Sequence, residues 1–283
     1  MKGKKVLVQK VKHLLRKVGA PRFLHHFGPK LYELWQHVFA LFVKEACRLS
    51  YRRTVAICRN LGYIVASKST LQRYAWKLGL PFWQNLLSKT VGRINAYASI
   101  DGTGFERTSA SWHYIKRIDG KTPRIGYKLS MLSTTKHKII CLRLRAKPAH
   151  DVKDIKYLLG KAKQCPSTLL MDKGYDAEWI HKFCKEKGIR TIIPVRKGIA
   201  KGSHRKKLQQ KFPKKLYNKR SNIESTFHAL KTKYGASLRS KKIQTARTQI
   251  HIRAILHNTA LKTLQVLGHS RKTGLQRLLQ CRF

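Results

Sequence analysis

Residues 217–231 read Tyr-Asn-Lys-Arg-Ser-Asn-Ile-Glu-Ser-Thr-Phe-His-Ala-Leu-Lys. Wound at about 100° per residue, Tyr217, Arg220, Glu224 and Lys231 fall within roughly 60° of one another. Ile223, Phe227, Leu230 and Tyr234 form an adjacent apolar stripe. One stripe packs on a core while the other faces outward, so a helix is expected from Tyr217 to about Lys233. Its polar stripe has two readings. It is a surface face with an Arg220–Glu224 ion pair four residues apart, or it presents a carboxylate among cations to a site.

Two more carboxylates upstream stand in distinctive settings. Asp101 lies in Ile100-Asp101-Gly102-Thr103, and Asp172 in Leu169-Leu170-Met171-Asp172-Lys173-Gly174-Tyr175-Asp176. Strands are expected over Tyr97–Asp101 and Ser167–Met171, which puts both acids at strand ends, and Gly102 allows close approach of a backbone. Two strand-end carboxylates and one helix carboxylate can converge on a pair of divalent ions. Such a pair, about 3.5–4 Å apart, clamps the attacking and leaving oxygens of an in-line phosphoryl displacement. Mg²⁺ accepts one or two carboxylates plus substrate phosphates, so three acids suffice.

The charge balance points to the same chemistry. The chain has 12 Asp and Glu against 62 Lys and Arg, a net charge of +50 over 283 residues. The cations are spread along the whole length, which suits DNA or RNA lying across a folded body. An acid near that polyanion repels it unless a cation stands between them. A disordered basic tail is excluded, since 42% of residues are hydrophobic and 11 Tyr, 10 Phe and 5 Trp are distributed throughout. No apolar run approaches the roughly 18 residues of a membrane span, and none follows Met1-Lys2-Gly3-Lys4-Lys5 as in a signal peptide. A cytoplasmic, nucleoid-associated protein is expected. The six cysteines include no Cys-x-x-Cys pair, so buried free thiols are expected in place of a zinc site.

The chain divides into a helical region (1–94), an α/β region (95–267) and a short basic tail (268–283). In the first, helical spacing runs over Leu31–Leu49, Ser50–Gly62 is amphipathic, and Ser69–Gly79 opens on a capping residue and stops at Gly. The last two fit a helix-turn-helix that offers Lys68, Gln72, Arg73 and Lys77 to DNA, or a plain helical hairpin with a solvated basic face. After the first strand, Trp112–Ile118 and Arg124–Leu132 flank the Asp119-Gly120 turn as a hairpin, and Lys138–Arg145 is a third run. Asp151 caps a helix to Lys163, Asp176 caps one over Ala177–Lys187, and Arg190–Val195 is a strand. Residues 197–216 read as a basic loop, in contact with phosphates or simply solvated. Thr245–Leu267 is a further amphipathic helix. This order implies a mixed sheet with helices on its faces. Glu106 reads as a loop acid or an auxiliary ligand, Lys173 as a phosphate contact or a solvated charge, and His113 and His150 as core or capping residues.

The spacing Tyr217, two residues, Arg220, three residues, Glu224, six residues, Lys231 is similar to the Y-(2)-R-(3)-E-(6)-K signature of DDE transposases from prokaryotic insertion sequences. The turns at Asp101-Gly102-Thr103 and at Asp172-Lys173-Gly174-Tyr175-Asp176 resemble the first and second aspartate motifs of that group, and His150-Asp151 resembles it too. The resemblance spans about residues 95–260. It implies an RNase H-like catalytic core, Mg²⁺ or Mn²⁺, and cutting and joining of double-stranded DNA at element ends. By the same match Asp101, Asp172 and Glu224 are metal ligands, Arg220 and Lys231 hold DNA phosphates, and Tyr217 supports or contacts the strand. The short interval from Asp172 to Glu224 implies a compact form without a large β-rich insertion. Synapsis of two ends implies a homodimer or higher oligomer on DNA. Two rival readings are an inactive, transposase-derived DNA-binding protein or repressor, and a nuclease without strand transfer.

Overall fold

The centre of the sheet is β1 (Tyr97–Arg107), an 11-residue strand. β2 (Gly126–Thr134) pairs with it antiparallel from Ala98↔Thr134 to Glu106↔Gly126. β3 (Ile139–Arg145) adds antiparallel to β2. On the other side of β1 lie β4 (Thr168–Met171) and β5 (Arg190–Ile192), both in parallel pairing. The short β6 (Ser237–Leu238) runs parallel to the far end of β1, at Glu106 and Arg107. The order β3-β2-β1-β4-β5 is the expected mixed sheet. This computed structural model describes residues 2–24, 27, 29–94, 96–107, 126–147, 149–196, 198, 202–240 and 242–270. The basic tail beyond residue 270, the Asp119-Gly120 turn and the expected strand over 112–118 fall outside them. Both edges of β2 are occupied by β1 and β3.

Five helices precede the sheet: α1 (Lys2–Lys17), α2 (Leu34–Ala46), α3 (Tyr51–Asn60), α4 (Lys68–Lys77) and α5 (Leu80–Val91). Ser50 and Ser67 cap α3 and α4, accepting from Arg53 N and Thr70 N, so α4 starts earlier than the Ser69 expected. Later come α6 (Ile155–Lys161), α7 (Glu178–Glu186), α8 (Ser203–Gln210), α9 (Lys214–Tyr217), α10 (Asn222–Tyr234) and α11 (Ile243–Ser270). Residues expected to form a basic loop thus include α8 and α9. Basic residues carry good helix propensity, and tethers to α7, detailed below, hold α8 in place. No helix among the described residues is long and apolar enough to cross a membrane.

Two apolar clusters sit on opposite faces of the sheet. One joins Phe105, Leu129, Met131 and Leu144 to α10, α11 and the N-terminal helices through Ile223, Phe227, Ile250, Trp83, Leu87 and Val38. The other joins Ala98, Ile100, Leu132, Leu169 and Met171 to α6 and α7 through Ile155, Leu158, Ile180 and Cys184. The alternation along β1 and β4 is what assigns each side chain its face. Cys58, Cys141 and Cys184 are buried free thiols as expected, while Cys47 and Cys165 are exposed.

The acids expected to cap helices do not cap them. A 3-10 turn at Asp151–Asp154 precedes α6, and neither its N-cap nor that of α7 carries a side-chain capping bond. Asp154 is fully buried, bonded to Ser130 (2.6 Å), Arg143 (3.0 Å) and Arg145 (2.6 Å). A cation-rich sheet face outcompetes a helix end for a scarce carboxylate, because the charge-assisted bonds are the stronger ones.

The start of β3's open edge, at Ile139, is met by one side chain. Asn258 of α11 accepts from Ile139 N (2.8 Å), donates to Ile139 O (2.8 Å) and donates to Thr90 Oγ1 of α5 (2.9 Å). It therefore stands in for a missing strand and joins α11, β3 and α5. Asn258→Ala strands a buried donor and acceptor, each worth about 1–3 kcal/mol. Urea unfolding is expected to register a loss of at least about 2 kcal/mol, and a loss under about 0.5 kcal/mol refutes the pinning role.

Candidate active site

Asp101 and Asp172 are neighbours by strand register. The parallel ladder of β1 and β4 ends at Ile100↔Met171, so the next residue in each chain is a carboxylate, on strands about 4.8 Å apart. β4 stops there, but β1 continues to Arg107 because β2 still supplies partners as far as Glu106. Asp101 therefore sits within its strand and does not end it, contrary to expectation. On the β4 side, β1 finds its next described partner only at Glu106, where β6 begins. The interval from Asp101 to Phe105 is a notch in the sheet edge.

α10 lies over that notch. Lys231 donates to Thr103 Oγ1 (2.8 Å), with its ammonium over the Phe105 ring at 5.4 Å. Burial lowers the Lys231 pKa, and the exposed Glu106 opposes that shift. Arg220 bridges two acids: Nη1 reaches Asp101 Oδ2 at 3.1 Å and Nη2 reaches Glu224 Oε1 at 2.6 Å. The i,i+4 ion pair and the site-facing stripe are thus both present, made by the same guanidinium. Tyr217 and Arg220 belong to α9 and to the 3-10 turn Asn218–Ser221, not to α10. The expected continuous helix is broken there, yet the four signature residues still gather on one side. Arg220 lies 6.0 Å from the Tyr217 ring, which packs edge-on against Phe212.

Electrostatics separate the acids. Burial raises the Asp101 pKa, outweighing the Gly102 N–H bond (2.8 Å) and the Arg220 charge, and Asp172 and Asp151 push the same way. Asp172 is exposed and its side chain makes no hydrogen bond among the described residues. It is carried by the 3-10 turn Lys173–Tyr175, in which Lys173 is exposed.

Asp151, expected as a helix cap, has other partners. It pairs with Lys128 at 2.5 Å and reaches β1 from the face opposite Asp101. A Cβ on Gly102 would come within 2.6 Å of Asp151 Oδ1. Gly102 serves this close approach. Tyr175 lies alongside, fully buried, its hydroxyl without a partner among the described residues. Burial raises its pKa far above the ordinary range, and Asp151, Asp101, Asp154 and Asp172 add to the shift. The signal in the sequence was Asp151 three residues before a second acid, which reads equally as a cap.

Lys68, Gln72, Arg73 and Lys77 are all exposed on α4, across residues 61–67 from α3. Trp76 on the same helix is 55% exposed and its indole N–H bonds Gln244 of α11. This basic face is separate from the Asp101 notch.

The carboxylates suit a hard divalent ion in chemistry. Among the described residues, no three His, Cys, Asp or Glu side chains close around a metal position. A cation nevertheless occupies the space between Asp101 and Glu224: the Arg220 guanidinium. Carboxylate oxygens are the donors that a hard divalent ion takes, and here Arg220 meets the charge of both.

Residues 98–259 match the family model described as "Transposase DDE domain". No curated protein matches the chain. The cryo-EM structure of the piggyBac transposase synaptic complex with hairpin DNA is similar in fold, with a TM-score of 0.51 at 11% identity, over 94% of this chain and 73% of that one. That likeness is to an RNase H-like mixed sheet. The crystal structure of a pre-cleavage Mos1 transpososome aligns at a TM-score of only 0.25 and 10% identity, over 85% and 80% of the two chains, too slight a likeness to argue from.

The raised Asp101 pKa has a stability consequence. The fold disfavours its ionised form, so the penalty is absent below the ordinary carboxylate range and grows as pH rises through the shifted value. Asp101→Asn is expected to raise the melting temperature at pH 7 by about 2–4 °C, on the order of 1 kcal/mol, with the gain vanishing under acid. A lower melting temperature at pH 7 contradicts the assignment.

Proposed function

The chain belongs to the Transposase DDE domain family, and on that premise we propose that it binds the terminal inverted repeats of an insertion sequence and cuts and joins DNA there. The observation that carries this reading is that Asp101 and Asp172 each follow the last pair of the β1–β4 ladder, at the notch, with Glu224 facing Asp101 across Arg220. A protein of net charge +50 gains nothing in binding by placing carboxylates beside phosphate. It gains chemistry if they hold cations.

In this reading Asp101, Asp172 and Glu224 hold Mg²⁺ or Mn²⁺. When bound, such ions would supply Lewis-acid chemistry to the phosphodiester. The proposed reaction is two in-line displacements. Water attacks the phosphodiester at the element end, and a 3′-hydroxyl leaves. That hydroxyl then attacks target DNA in the same site, forming the new phosphodiester and releasing a target 3′-hydroxyl. Arg220, at the mouth of the notch, binds a phosphate once it leaves the carboxylates, with the bidentate geometry a guanidinium offers. Lys231, held at Thr103, neutralises a second phosphate. Tyr217 walls the strand's path beside Arg220.

The α4 face, with Lys68, Gln72, Arg73 and Lys77, reads the terminal repeat in a major groove. The neighbouring piggyBac structure is a synaptic complex. By analogy, two copies or more of this chain hold the two ends together, in the cytoplasm at the nucleoid.

Asp172→Asn is expected to abolish Mg²⁺-dependent end cleavage, while gel-shift affinity for end DNA stays within about twofold. Full cleavage by that variant would sink the reading. No nicking by the native chain in Mg²⁺ or Mn²⁺, with end binding intact, establishes the repressor instead. Arg73→Ala and Lys231→Ala are each expected to flatten the log–log salt dependence of DNA binding by about one unit. An unchanged slope removes that residue from the interface.

A further inference from the structure

Among the described residues the side chain of Asp172 makes no hydrogen bond of its own, so its aim depends on the turn that carries it. That turn is short: Tyr175 N bonds Asp172 O (2.9 Å) and Asp176 N bonds Lys173 O (3.1 Å). It is braced from outside by Arg196, whose guanidinium donates to the carbonyls of Lys173 and Gly174 at 3.4 Å each. Arg196 is itself pinned, because its backbone N–H donates to Asp176 Oδ2 at 2.9 Å. The ring closes through Asp176, four residues from the proposed metal ligand.

Asp176 is also tied to the other half of the site. Its side chain is fully buried and takes two bonds from Arg205 of α8, Nε at 2.7 Å and Nη2 at 2.5 Å. Burial opposes its ionisation, and the bonds from Arg205 and Arg196 outweigh that, lowering its pKa. Two residues on, Glu178 makes a parallel tether to His204, through Nδ1 at 2.8 Å and the backbone N–H at 3.3 Å. Gly202 permits that approach, with φ +110° and no room for a Cβ against Glu178. α8 leads directly into α9 and the turn bearing Tyr217 and Arg220. A chain with few acids thus uses two of them, within three residues, to dock a basic helix beside Asp172.

We infer that Asp176 is the positioning residue for Asp172: through Arg196 and Arg205 it fixes the turn that aims this carboxylate and the helix that delivers Arg220. The inference rests on the metal-dependent reading above. It gives the second acid of Asp172-Lys173-Gly174-Tyr175-Asp176 a role distinct from that of a ligand or a cap.

The test is Mn²⁺ titration of the DNA-free full chain, followed by electron paramagnetic resonance. Asp176→Asn is compared with Glu45→Gln, which removes a buried carboxylate that pairs with Lys44 and Arg253 among the helices. Both variants are expected to lose thermal stability. Only Asp176→Asn is expected to weaken Mn²⁺ binding, by about 10–100-fold, the range seen when residues that orient metal ligands are lost. Glu45→Gln is expected to stay within about twofold of the native chain. Arg205→Lys keeps the charge but loses the bidentate geometry, and is expected to fall between native and Asp176→Asn; it carries the test if Asp176→Asn does not fold. Native Mn²⁺ affinity in Asp176→Asn or Arg205→Lys, or equal weakening in Glu45→Gln, overturns the positioning role. If the native chain binds Mn²⁺ no better than Asp172→Asn, the metal-dependent reading itself falls, and the inference with it.

Discussion

The parallel pairing of β1 with β4 is the constraint from which the site follows. It ends at Ile100↔Met171, and a parallel ladder keeps residues level, so the residues that follow are two carboxylates side by side. Had the strands been offset by one residue, one acid would have turned to the opposite face. β1 runs on because β2 supports its other edge. The unpaired stretch beyond Asp101 leaves a gap that α10 covers, and α10 brings Glu224 and Lys231 with it.

A cation offsets part of the repulsion this creates. Two adjacent carboxylates and a third nearby are unfavourable in a partly dry cleft unless positive charge stands between them. Arg220 supplies it, touching Asp101 and Glu224 at once. The same economy recurs through the molecule. Glu45 lies buried with Lys44 and Arg253, Asp154 with Arg143 and Arg145, and Asp176 with Arg205. In so basic a chain the buried acids act as tethers for arginines. Such pairs stabilise less than their number suggests, because desolvation offsets much of the attraction. Breaking one leaves an unpaired buried cation, so they specify which basic helix docks where.

The signature acids were legible because chemistry and local spacing both marked them. The Tyr–Arg–Glu–Lys interval survives in space even though the backbone changes from α9 through a 3-10 turn to α10. A 3-10 turn winds tighter than an α-helix, so the four stay together through their own contacts, Arg220 on Asp101 and Glu224 and Lys231 on Thr103. Asp151 and Asp176 were misread for the opposite reason. An acid ahead of a helix looks like a cap in any sequence. Only long-range partners, Lys128 for one and Arg205 for the other, reveal that it is not. α8 was equally hidden, since its anchors are Asp176, just before α7, and Glu178 of α7.

By itself the sequence determined the alternation of elements, the net charge of +50, and which three carboxylates are candidates for one site. Each of these depends on residue type and on spacing within a few positions, which local geometry governs. Tertiary structure alone decided that β1 outruns β4 to open a notch, that Arg220 stands between Asp101 and Glu224, and that Asp151 presses on Gly102 from the opposite face. Those facts depend on strand register and on partners tens of residues apart, and no local propensity encodes a contact between segments that meet only on folding.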